Sequence, residues 1–254
     1  MIRIGVTGAA GRMGRTVIET ASDREDVTVV FAVDATDDET VAGKPIHEPD
    51  DIAALLATHE PDAIVDFSVP EATVGLADAC AEAGVPLVTG TTGFEDDQVA
   101  ALEDASGDVA VLKAANFARG IQALLATVRA ATEALPGYDI ELTETHHNAK
   151  QDAPSGTAKT LLEALADARE EDFAEVYGRE GIDPREAGEV GVHVRRAGDV
   201  RGEHELMFAG NDEVLTLSHR AEDRGVFAAG ALDAAIWIAG REPGFYTFGD
   251  VIEG

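Results

Sequence analysis

Hydrophobic positions along the chain follow two different rhythms. In the first half, apolar runs with few polar breaks, IRIGVT (2–7), VTVVFAVD (27–34), DAIVDFS (62–68), VPLVTG (85–90) and VAVLKAAN (109–116), read as strands. Between them lie helical stretches at 12–22 and at roughly 51–58, 70–83 and 95–105. Strands this apolar suit burial on both faces, and their alternation with helices predicts a parallel sheet covered on each side. The second rhythm begins after Asn116. A long helix (about 117–135) leads to DIELTETHH (139–147), and a helix follows from Ser155 to about Glu170. Then VGVHVRRAG, HELMFAG and EVLTLSHR arrive in succession with little helix between them, which predicts a second, α+β domain with a mixed or antiparallel sheet. The apolar helix VFAAGALDAAIWIAG (226–240) lacks a partner nearby and is expected to return to the first domain. The expected division is therefore 1–118 with 224–254, and 119–223.

The turn after the first strand, TGAAGRMG, places Gly8, Gly11 and Gly14 between a strand and a helix. Glycines there permit a tight turn and close backbone approach, and the helix start offers N–H groups to a pyrophosphate. The spacing is GxxGxxG. Asp34, closing the second strand about 20 residues on, stands where a ribose-binding acid belongs. A Rossmann-type dinucleotide-binding domain is the resulting expectation, a plain glycine turn the alternative. Ala35 follows Asp34 and no arginine is there to receive a 2′-phosphate, which favours NADH. Arg12 within the loop leaves room for NADPH. TGTTG (89–93) and AANFA (114–118) also end predicted strands, where an open parallel sheet binds ligands, although either is also ordinary turn punctuation.

Charge changes the picture next. The 254 residues carry 49 acids against 19 lysines and arginines, a net charge of −30. That balance opposes nucleic acid as a partner. The acids are scattered, and only four of the basic residues are lysines. Such a composition resembles proteins that work in molar salt, so a halophilic protein is expected. No apolar run reaches 18 residues, no signal peptide is read at the N-terminus, and the single Cys80 suits a reducing cytoplasm. Neither a membrane nor a disulfide framework is expected.

The densest chemistry lies in ELTETHHNAKQDAPSGTA (141–158). His146 and Lys150 stand four apart, and His147 adds a second imidazole. With no thiol or carboxylate at ligand spacing this is a poor metal set, and no metal site is expected. A lysine and histidine instead suit an anionic substrate and a proton transfer. The helix opening at Ser155, Gly156 and Thr157 brings a positive dipole end and a close-approach glycine, fit for a carboxylate. Surface histidines beside a capped helix are the bland alternative. His47, His59, His193 and His219 have no such company and are read as structural or exposed.

This stretch resembles the signature of the 4-hydroxy-tetrahydrodipicolinate (dihydrodipicolinate) reductase family. So do GAAGRMG, VDFS, GTTGF, ANFA and RAGDVRGEHELMF (196–208), so the resemblance spans nearly the whole chain. It departs at Leu142, where isoleucine or valine is commoner, at Ala118, where serine is common, and at position 35, where some members carry arginine. The resemblance implies NAD(P)H-dependent reduction of a cyclic dicarboxylate in the diaminopimelate and lysine pathway. It makes His146 a proton donor or acceptor and Lys150 the proton donor. His147, Ser155, Gly156 and Thr157 would hold substrate carboxylates. Gly8, Ala9, Ala10, Gly11, Arg12, Met13, Asp34, Gly90, Thr91, Thr92, Ala115, Asn116, Phe117 and Ala118 would line the cofactor. A four-stranded mixed sheet in the second domain, a cytoplasmic homotetramer and closure over a dicarboxylate substrate are also implied. The rival readings are another two-domain nicotinamide dehydrogenase and a non-catalytic NADH-binding redox sensor.

Overall fold

The computed structural model describes residues 1–36, 38–169 and 172–254. Glu170, the expected end of the helix after Ser155, lies outside the described residues. The chain divides into two compact units, Met1–Phe117 with Arg224–Gly254, and Ala118–Asp223.

The first unit opens with β1 (Ile2–Thr7), α1 (Arg12–Ser22), β2 (Val27–Val33) and a small hairpin, β3 (Thr40–Val41) and β4 (Lys44–His47). After a 3₁₀ turn at Pro49–Asp51 come α2 (Ile52–His59), β5 (Ala63–Asp66), α3 (Pro70–Ala83), β6 (Leu87–Thr89), α4 (Asp96–Ala105) and β7 (Ala110–Lys113). The second unit holds α5 (Arg119–Ala134), β8 (Asp139–His146), α6 (Gly156–Asp167) and β9 (Ala174–Val176). It continues through β10 (Glu189–Arg196), β11 (Glu203–Gly210) and β12 (Glu213–Arg220). Then α7 (Gly225–Ile238), β13 (Gly244–Tyr246) and α8 (Phe248–Glu253) complete the first unit.

In the first unit the sheet order is β13-β7-β6-β5-β1-β2-β4-β3, parallel except at the β3–β4 hairpin. All four residues of β5 are buried, as a strand covered on both faces requires. α1 buries Gly14, Val17, Ile18 and Ala21, the i, i+3, i+4, i+7 series of an amphipathic helix. α3 starts with a proline in its first turn and stops at Gly84 in the left-handed region. α7 is apolar nearly all round and is accordingly buried, packing on α1 and on β5, β6 and β7. Fully buried Ile4, Ile64, Leu87 and Leu112 each contribute about 1.5–3 kcal/mol by leaving water.

β2 and β5 flank β1 on opposite sides, so the chain reverses its direction of travel through the sheet at β1. The loops that leave β1 and β5 diverge there, which is where doubly wound sheets open a crevice.

The second unit has a five-stranded sheet, β12-β11-β8-β10-β9, not the four strands expected. The extra strand is the three-residue β9, paired with the start of β10 and too short to show a period in the sequence. β8, β9 and β10 run parallel, and β11 and β12 are antiparallel. Residues directly opposite in paired strands share a face. Ile140, Phe208 and Val190 form one buried rung, and Leu142, Leu206 and Val192 the next. On the same face the following rungs are polar: Glu144 with His204, then His146 with Arg196. An apolar face thus turns ionisable over the last four residues of β8, directly before the His-His-Lys loop.

Candidate active site

In the first unit a cavity of about 820 Å³ opens at the crevice beside β1. Its lining includes Gly8, Ala10 and Gly11 from the glycine turn, Asp34 from the end of β2, and Ser68 after β5. Gly8 has φ +67°, and a Cβ on it would meet the Phe67 carbonyl oxygen at 2.4 Å. A Cβ on Gly14 would lie 2.2 Å from the Gly8 carbonyl, so the third glycine lets α1 close against the turn. Gly11 caps α1 without any side chain, and the first helical turn carries no acid. Asp34 Oδ2 accepts the Ala10 N–H at 2.7 Å, which aims the carboxylate along the cavity wall. These residues fit a dinucleotide: a cradle only glycine permits, an uncapped helix start for phosphate, and an oriented carboxylate for a ribose diol.

Beneath this edge lies an acid that the sequence reading passed over. Asp66 is fully buried. Oδ1 accepts Thr7 Oγ1 at 2.7 Å and both the Ser68 hydroxyl and N–H. Oδ2 accepts Thr73, Thr89 and Thr91 hydroxyls at 2.8–2.9 Å. Six donors from β1, β6, α3, the β5–α3 turn and the TGTTG loop thus converge on one carboxylate and fix those segments together.

Not every residue expected at the cofactor meets this cavity. Ala9 is fully buried and its N–H is bonded to Val33. Phe117 packs edge-on against Phe67 and Phe248, and Ala118 is buried and belongs to the second unit. Their side chains are core. Arg12, Met13, Gly90, Thr91, Thr92, Ala115 and Asn116 stand at the same sheet edge or on α1 but outside the cavity lining. Conversely Asp50 and Glu71, unremarked in the sequence, line it.

The second unit gathers His146, Glu144, His204, Ser155 and Arg196. Glu144 Oε1 accepts Arg196 Nη2 at 2.9 Å, and Oε2 accepts the Ser155 N–H at 3.2 Å. His146 Nδ1 lies 3.5 Å and His204 Nε2 3.7 Å from Oε2, and the two rings stand edge to face at 5.2 Å. Ser155 Oγ is 3.2 Å from His204 Nε2 and caps α6 by accepting the Ala158 N–H. Arg196 Nη2 also donates to the Asp152 carbonyl at 2.6 Å, tethering the loop that bears Lys150. Lys150 pairs with exposed Asp152 at 2.8 Å, a surface ion pair worth at most about 1 kcal/mol and easily exchanged for another carboxylate. His147 is half-buried, Gly156 exposed and Thr157 buried in the first turn of α6, a turn without an acid.

The matches to known proteins agree with one another. The family model "Dihydrodipicolinate reductase, N-terminus" covers residues 2–117, and "Dihydrodipicolinate reductase, C-terminus" covers 120–252. A 4-hydroxy-tetrahydrodipicolinate reductase from Haloarcula marismortui is 56% identical over 253 residues, spanning 100% of both chains. The chain belongs to the dihydrodipicolinate reductase family. Its relative from Natronomonas pharaonis, also a 4-hydroxy-tetrahydrodipicolinate reductase, is 55% identical over 99% of this chain and 100% of that one. Among solved structures, a dipicolinate-bound dihydrodipicolinate reductase from Paenisporosarcina sp. TG-14 shares the fold with TM-score 0.79 at 23% identity, covering 97% of each chain. An amine dehydrogenase from Mycobacterium smegmatis shares it more loosely, TM-score 0.66 at 16% identity, over 98% of this chain and 95% of that one. Dihydrodipicolinate reductases are oxidoreductases that use a nicotinamide dinucleotide.

The electrostatics of the second unit are set by burial. Burial pushes the Glu144 carboxyl up, but hydrogen bonds from His204, Ser155 and Arg196 outweigh it and hold the pKa down to about 2. Burial also pushes the His146 imidazole down to about 4; Glu144 opposes this, while His204, Lys150 and Arg196 reinforce it. The sequence left His146 as proton donor or acceptor; burial makes its resting form the neutral imidazole near pH 7. Glu144, His146 and His204 bring potential metal donors within 4.8 Å of one another, the one such trio among the described residues. Arg196 already supplies the positive charge that Glu144 demands. One signal could have revealed Glu144 beforehand: it continues the Ile140, Leu142 alternation into His146, so β pleating puts it on the buried face. Among the described residues, no helix is long and apolar enough to cross a membrane.

Proposed function

We propose that this chain reduces 4-hydroxy-tetrahydrodipicolinate to tetrahydrodipicolinate in the diaminopimelate and lysine pathway, in the cytoplasm, with NADH preferred over NADPH. The 4-hydroxyl and a hydrogen from the neighbouring carbon leave as water to give the unsaturated ring. The cofactor, when bound, supplies a hydride to that ring. Carrying the reading is the cluster at the end of β8, where an ionised Glu144, a neutral His146, the Lys150 loop and the α6 start share one polar patch. Lys150 gives the proton taken up by the carbon next to the reduced one, and His146 accepts or relays it. His147, Ser155, Gly156 and Thr157 bind the two carboxylates. Residues 1–117 and 224–254 serve as the dinucleotide-binding domain and 118–223 as the substrate and oligomerisation domain of a homotetramer. Half-buried Met207 and exposed Val214 and Thr216, on the sheet face away from His146, support assembly through that face.

Three acids, Asp34, Asp50 and Glu71, line the cavity, and no lysine or arginine does so among the described residues. They repel the 2′-phosphate of NADPH and suit the 2′-hydroxyl of NADH. The test is a coupled assay in molar potassium chloride, with substrate made in situ from pyruvate and aspartate semialdehyde. Substrate-dependent oxidation, faster with NADH than NADPH at equal concentration, is expected. Folded, NADH-binding protein without such oxidation would return the choice to the other dehydrogenases or the sensor.

A further inference from the structure

We propose that Glu144 is a positioning residue for the reductase reaction, the single buried anion that holds the helix start, the Lys150 loop and the His146 ring in one arrangement. The inference rests on the reading above of His146, Lys150 and the α6 start. Glu144 is fully buried, and a buried acid without a task is costly. Its two oxygens divide the work. Oε2 receives the Ser155 N–H, so it fixes the residue from which α6 begins. Oε1 receives Arg196, whose same Nη2 grips the Asp152 carbonyl two residues beyond Lys150. His204 closes the network, its Nε2 lying between Ser155 Oγ and Glu144 Oε2 while its ring packs edge-on against His146. The open side of His146 is kept clear at Gly202, where a Cβ would approach Nε2 to 3.2 Å. Ser155 at the α6 start and the His146 ring therefore lean on Glu144 directly, and the Lys150 loop leans on it through Arg196, while Glu144 itself is shielded from solvent.

The charge matters as much as the shape. Glu144 is the acid facing His146, against the cations Arg196 and Lys150 and the second imidazole His204. Glu144→Gln keeps the volume, removes that anion, and turns an amide NH₂ toward a donor that wants an acceptor. For a chain that turns over substrate, Glu144→Gln is expected to lose on the order of 10²-fold in kcat/KM for the dicarboxylate, with KM raised as well as kcat lowered. The NADH dissociation constant should stay within about twofold. In ¹⁵N-histidine spectra the His146 ring should lose its titration shift on dicarboxylate binding. His204→Gln, which spares the Glu144–Arg196 pair, is expected to lose about tenfold, and it carries the test alone if Glu144→Gln does not fold. Wild-type kcat, KM and His146 titration in the folded variants would overturn the proposal. So would losses matched by an equal loss of NADH affinity, the mark of a purely structural role. A wild-type chain that binds NADH but does not oxidise it with the substrate would remove the functional reading first and this inference with it.

Discussion

Neutral His146 makes proton uptake on substrate binding the most informative perturbation. The ring sits at about 4 in the ligand-free chain because burial, aided by nearby cations, disfavours its charge. On the proposed binding by Lys150 and the α6 start, a dicarboxylate places negative charge near the imidazole, at an assumed separation of about 5 Å. At an effective dielectric of about 20, one such charge is worth about 3 kcal/mol, or roughly 2.4 pKa units. Binding should therefore lift His146 from about 4 toward about 6.5, so at pH 6.5 nearly half a proton is taken up per site. The assay is titration calorimetry of the NADH complex with pyridine-2,6-dicarboxylate at pH 6.5, in buffers of different ionisation enthalpy. The slope of apparent enthalpy against buffer enthalpy should give about 0.4–0.5 proton for the wild type and near zero for His146→Gln. No buffer dependence in the wild type, or an unchanged slope in His146→Gln, would refute the electrostatic account of this site.

His146→Ala and Lys150→Ala should each lower turnover by roughly 10²-fold or more in the coupled assay, the usual contribution of a positioned acid or base, and unchanged turnover in both would remove their roles. Acid stability follows from the same shift. Between the ordinary 6.5 and the folded value of about 4, the unfolded chain binds a proton at His146 that the folded chain refuses, so stability falls as pH drops through that window. From pH 7 to pH 5 the loss is about 2 kcal/mol, read from urea midpoints. His219, also held low by burial and then by His204, adds the same sign, so His146→Gln should flatten the curve without abolishing it. Glu144 adds a second loss as pH falls from 4.5 through about 2. Finally, the charge of −30 should make the thermal midpoint climb as potassium chloride rises from 0.1 to 2 M, since the Debye length shrinks from about 10 Å to below 3 Å; a flat response would show that the surface acids do not oppose folding.

Much of this was legible in the chain itself where a feature is local. The β1–α1 glycine turn, the apolar strands and the α6 start with Ser155 at its cap follow from short-range sterics and period. Features that depend on distant partners were not. Asp66 reads as an ordinary strand-end acid until the distant Thr7, Thr89 and Thr91 join the nearby Ser68 and Thr73 in converging on it. His204 and Arg196 sit in a quoted motif, yet only the register of β11 and β10 against β8 sets them beside Glu144 and His146. The charge state of His146 was not legible for the same reason, because burial by distant partners decides it. Ala9 and Phe117 illustrate the converse: adjacency to a loop does not say whether a side chain faces the ligand or the core.

The most direct test follows the hydride. NADH carrying deuterium at both C4 positions of the nicotinamide would be supplied with the in-situ substrate in molar potassium chloride, and the product examined by mass spectrometry. The account expects one deuterium in each tetrahydrodipicolinate formed, matched to the cofactor consumed. Oxidation of the labelled cofactor without deuterium in the product, or no oxidation at all by folded protein, would contradict it.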